Sequence, residues 1–167
     1  RSYLAFLVAL AFAIAAMSSM QIYALFFLQD VVGLENPAKG ADLLVVVIVV
    51  SAGLTVLPAG FLSDRFGRAK LFALAGASGV TSSLLLMFVD SIGQVMAVGV
   101  IVGIAVGLFM VLTWAVANDL VRRTSAARDL GYTSIATLAG SAVARFAGIG
   151  IDELNDVSEN LGYRVIL

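Results

Sequence analysis

Five long apolar runs, separated by short charged turns, constrain this chain more than any other feature. They cover about Tyr3–Leu28, Leu43–Leu62, Leu71–Val89, Gln94–Asn118 and Leu130–Gly150, and a sixth opens near Gly162. Each complete run holds roughly 19–26 residues, against about 20 needed to cross about 30 Å of hydrocarbon at 1.5 Å per residue. A bilayer interior offers no water to backbone N–H and C=O groups, so a spanning segment is a helix or a strand of a closed barrel. The runs lack the apolar–polar alternation of barrel strands. The fold class is therefore all-α, an integral membrane helical bundle. Composition agrees: the 167 residues are 61% hydrophobic and 13% charged, where soluble domains average about 45–50% and about 25%.

Charge sets the orientation. Arg1 precedes the first run, Arg65, Arg68 and Lys70 follow the second, and Arg122, Arg123 and Arg128 follow the fourth. The opposite side carries only Lys39 and Arg164, among Asp30, Glu35, Asp42, Asp90, Asp152, Glu153, Asp156 and Glu159. Basic residues accumulate in cytoplasmic loops, so the N-terminus is expected in the cytoplasm and "IDELNDVSENLGYR" in an outer loop. The net charge of −1 and the absence of any further basic face leave no footprint for nucleic acid. With neither histidine nor cysteine, no cofactor, metal site, thiolate or neutral-pH imidazole chemistry is expected. No glycine loop for phosphate and no pair of buried acids appears, so catalysis is not expected either.

Within the runs, Gly99, Gly103 and Gly107 recur every fourth residue, a spacing that lets helices approach closely in lipid. Pro58 removes the bond to the carbonyl of Leu54 and is expected to kink its helix. Between the second and third runs lies "PAGFLSDRFGRAK". Gly60 permits close contact at a helix end, Gly67 permits positive φ in a tight turn, and Asp64 lies among Arg65 and Arg68. Positive-inside bias explains the cations but not this pattern.

The pattern resembles the signature of the major facilitator superfamily, G-x-L-[small]-D-R-x-G-R, carried here by Gly60, Leu62, Ser63, Asp64, Arg65, Gly67 and Arg68. The family usually adds a basic residue next, where this chain has Ala69 and then Lys70. The segment "WAVANDLVRRTSAARDLGYTSIAT" looks like the C-terminal half of sugar-transporter-like members, and the arginine common early in the fourth helix of N-terminal halves is absent. The resemblance implies one incomplete six-helix bundle over residues 1–167, truncated in its last helix, with the N-terminal half of the same chain missing. It implies secondary transport by alternating access in a plasma (inner) membrane. A sugar or glycoside is the preferred solute, and symport with a proton or cation is the expected coupling. Efflux of drugs or metabolites and a non-transporting sensor or scaffold are the alternatives. Gly60, Asp64, Arg65, Gly67 and Arg68 would form a gating latch, with Asp64 meeting the start of the fifth helix or an arginine of the turn before it.

Solute contacts are sought among polar residues at membrane depth. Ser18 and Gln21 share a face of the first helix, with Met17 and Tyr23 nearby, and interhelical hydrogen bonding competes with solute contact there. Trp114 and Asn118 are four apart on the fourth, though an interfacial tryptophan fits a purely structural role. Thr133 and Thr137 are four apart on the fifth. Arg145 lies roughly 8 Å below the outer end of that helix, at 1.5 Å per residue. It either snorkels outward or binds an anionic or hydroxyl-rich solute, or pairs with an acid such as Asp30.

Overall fold

The computed structural model describes residues 2–120 and 126–157. Helix α1 spans Ser2–Phe26 and runs into a π-helical turn, Phe27–Val31; α2 spans Pro37–Phe66, α3 Arg68–Leu86, α4 Ile92–Leu120 and α5 Ala126–Val157. Among the described residues there is no strand. Four stretches, Tyr3–Val31, Pro37–Phe66, Arg68–Leu86 and Ile92–Val116, are long and apolar enough to cross a membrane. The chain divides into two compact units, residues 28–116 and residues 1–27 with 117–167.

Helices α2, α4 and α5 outrun the apolar runs that announce them at both ends, because polar residues extend a helix beyond hydrocarbon, whereas α3 stops at Leu86, short of the expected Val89. Pro37 opens α2 where its missing N–H costs nothing, and the Asn36 side chain accepts from the N–H of Lys39 at 3.2 Å. Helix α2 then runs unbroken through Pro58 to Phe66. At the far end, α5 does not stop at Gly150: "IDELNDV", expected in the outer loop, is helical. That segment holds no proline or glycine after Gly150, and Glu and Leu are good helix formers. The sixth run near Gly162 lies outside the described residues.

In the unit of residues 28–116, α2 and α4 pack through a seam of small residues. A Cβ on Gly99 would come 2.6 Å from Leu44 Cδ1, one on Gly103 2.6 Å from the carbonyl oxygen of Ile48, and one on Gly107 2.6 Å from that of Ala52. The two sets of numbers rise together, so the helices run parallel, with α3 antiparallel beside them. Lipid tails supply no hydrophobic drive between helices, so such backbone contact is what holds them. Toward the far end, Ala59, Leu71, Ala75, Leu108 and Leu112 form a buried cluster of α2, α3 and α4. Phe72 meets Phe109 edge-on at 6.0 Å. Outward, Leu54, Leu57 and Phe61 stand 72–79% exposed, a surface suited to acyl chains.

In the other unit, α1 and α5 meet at Gly140, where a Cβ would strike the carbonyl oxygen of Ala11 and approach Ile14 Cβ at 3.1 Å. Tyr23, buried on α1, donates its hydroxyl to the carbonyl of Ala144 at 3.1 Å, with that of Arg145 at 3.5 Å.

Overpacking such a seam costs about 1–3 kcal/mol. Gly103→Val is therefore expected to lower the thermal midpoint of the detergent-purified protein clearly. Gly76→Ala, where a Cβ meets nothing within 4 Å, should leave it within error.

Candidate functional site

The charged stretch of the sequence is not a loop. Gly67 alone separates α2 from α3, so Asp64 and Arg65 occupy the last turn of one helix and Arg68 and Lys70 the first turn of the next. Gly67 has φ 86° and ψ 142°, and its N–H donates to the carbonyl of Ser63 at 3.1 Å. That backbone region is close to one open essentially to glycine alone. It lets the chain reverse within one residue.

Each side chain of the motif has a separate environment. Ser63 is buried, and Asp64 and Arg65 are exposed. The Arg65 guanidinium lies over the ring of Phe66, 5.7 Å from its centroid. Arg68, half-buried, donates from Nη1 to the carbonyl of Ala115 on α4 at 3.2 Å, tying the start of α3 to α4. Among the described residues a Cβ on Gly60 would meet nothing within 4 Å, so the close contact that a glycine permits there is not made within them. Gly60 instead lines an open cleft of about 340 Å³ on the surface of α2 and α4, among Val56, Leu57, Phe61, Val111 and Ala115, with Asp64 and Arg68 as its charged members. The cleft lies beyond Gly107, the last glycine of the α2–α4 seam, beside the buried cluster that Ala59 forms with Leu108 and Leu112.

Electrostatics make the placement of Asp64 costly to its own helix. The C-terminal turn of a helix carries partial negative charge, and an acid there is disfavoured by about 0.3–1 kcal/mol. The cations Arg68 and Lys70 face the opposite mismatch at the positive end of α3. Among the described residues the Asp64 carboxylate has no hydrogen-bond or ion-pair partner. Charges set against their own helices, around an apolar cleft, are arranged for something other than local stability. The turn holding Arg122 and Arg123, expected to meet Asp64, lies outside the described residues.

Of the candidate solute contacts, the structure brings Tyr23 and Arg145 side by side, the Tyr23 hydroxyl lying 3.5 Å from the carbonyl of Arg145. Tyr23 uses its hydroxyl in the α1–α5 seam, Ser18 is half-buried and Gln21 exposed. Trp114 is 66% exposed, and the Asn118 side chain lies outside the described ones. Arg145 is exposed; its helix continues to Val157, so it stands well short of the helix end rather than near it. Thr137 Oγ1 donates to the carbonyl of Thr133 at 2.9 Å. Two features escaped the reading of the sequence. Thr113 Oγ1 is buried and has no hydrogen-bond partner among the described residues, which only packing reveals. Ser134 and Ser141 lie on the side of α5 that carries Thr137 and Arg145, a spacing of three, four and four that was open to view. No group of acids suited to a metal ion occurs among the described residues.

A family model described as Major Facilitator Superfamily matches residues 4–156. No curated protein and no solved structure gives a significant match.

Gly67→Ala should cost about 1–3 kcal/mol from its backbone conformation alone, read as a fall in thermal midpoint. The open site at Gly60 should accept alanine with little change in that midpoint.

Proposed function

Because the chain belongs to the major facilitator superfamily, we propose that it serves secondary transport of a small polar solute by alternating access. The observation that carries this reading is the α2–α3 junction. A one-residue reversal places a carboxylate with no partner among the described residues and a tethered guanidinium at the rim of an apolar cleft. An acid with no partner in one arrangement of the helices is suited to take one in another, and a two-state element of that kind is what alternating access requires. Asp64 is the latch in this account. Arg68 holds the junction against α4, and Gly67 supplies the turn.

The solute is sugar-like in our reading, on the likeness of "WAVANDLVRRTSAARDLGYTSIAT" to sugar-transporter-like members. The membrane is the plasma (inner) membrane, with the N-terminus and the α2–α3 junction on the cytoplasmic side, as the basic residues favour. Coupling to a proton or cation finds no acid at mid-membrane in this chain, so the residue that would carry it is expected elsewhere in the transporter.

The full-length protein in liposomes should give saturable uptake of a radiolabelled sugar or glycoside. Asp64→Asn should lower the initial rate about tenfold, the equivalent of roughly 1.4 kcal/mol between states, while the protein remains folded. A linear, unsaturable leak would remove the transporter reading. An unchanged rate in Asp64→Asn would remove the latch.

A further inference from the structure

At 100° per residue, the described side chains of α5 fall into three sectors. Ala136, Gly140 and Ala144 recur every fourth residue and are buried, with Gly140 against the backbone of α1. Ile135, Val143 and Phe146 are 59–70% exposed and apolar, as a surface against acyl chains must be. The third sector, bordered by Leu138, carries Ser134, Thr137, Ser141 and Arg145. The first two and Arg145 are exposed, and Ser141 is partly so.

A polar stripe bearing an arginine is expensive to turn toward lipid, and charged residues inside membrane segments face water or a partner. Among the described residues the Arg145 guanidinium has no partner. Its backbone is held in place, because the Tyr23 hydroxyl bonds the carbonyl of Ala144 at 3.1 Å beside it. A cation on a pinned turn, one helical turn beyond a serine, has the makings of an oxyanion site. Guanidinium binds carboxylate and phosphate through two parallel N–H donors, and hydroxyls one turn away complete the contact.

We propose that the Ser134–Thr137–Ser141–Arg145 stripe faces water, and that Arg145 with Ser141 forms a binding site for an organic oxyanion, a carboxylate or a phosphate ester. Assigning that anion as the transported solute rests on the transporter reading above and narrows its sugar-like class to acidic sugars. The wetness and charge of the stripe stand apart from that reading.

These 167 residues hold no cysteine, so once any cysteine elsewhere in the full-length protein is replaced by serine, single cysteines report cleanly. Ser141→Cys and Thr137→Cys of the full-length protein in membrane vesicles should react with both anionic methanethiosulfonate ethylsulfonate and its cationic ethyltrimethylammonium counterpart. Ile135→Cys and Phe146→Cys should react with neither. At Ser141→Cys, the anionic-to-cationic rate ratio should fall about tenfold when Arg145→Gln removes the nearby charge. Arg145→Lys, which keeps the charge, should restore it. A Ser141→Cys no more reactive than Ile135→Cys overturns the proposal, as does a ratio that Arg145→Gln leaves unmoved. Loss of saturable flux in liposomes with the stripe still reactive would instead overturn only the transporter reading.

Discussion

Backbone-to-backbone contact through glycine joins α2 to α4 and α1 to α5. In lipid a helix gains nothing by hiding leucine from its surroundings, so association depends on close packing. The α2–α4 seam brings the Cα of Gly103 against the carbonyl of Ile48 and the side chain of Ser51, and the α1–α5 pair does the same at Gly140. Large side chains are left on the outer surface, as Leu54 is at 72% exposure. The same economy leaves few polar groups inside, which makes those that remain informative.

The junction between α2 and α3 begins where the α2–α4 seam ends. Contact at Gly107 keeps two parallel helices together; beyond it lies an open cleft bordered by Asp64 and Arg68. The positive φ of Gly67 makes this possible by reversing the chain in one residue. A longer loop would have let Asp64 and Arg68 drift, whereas here both ride on helix ends. Arg68 is anchored to α4, and Asp64 has no partner among the described residues. This asymmetry is what a latch needs.

Much of this was legible in the sequence. The five helices, the glycine stripe of α4 and the need for positive φ at Gly67 all follow from apolar run length, fourfold spacing and residue chemistry. Helix ends were less legible, because hydropathy measures the hydrocarbon crossed rather than the helix formed. "IDELNDV" continues α5 for that reason. The surroundings of Gly60 were not legible, because a glycine in a motif shows that space is available but not what fills it. Tyr23 could not be placed from sequence either, since its partner carbonyl is 121 residues away. The polar stripe of α5 needed only the helical period, yet each of its serines is unremarkable alone.

The account stands on the α2–α3 junction lying at the inner membrane surface. Lys70→Cys in oriented vesicles, probed with a membrane-impermeant maleimide, tests this most directly. Labelling confined to inside-out vesicles is the expected result. Labelling in right-side-out vesicles would contradict both the orientation and the role given to Asp64.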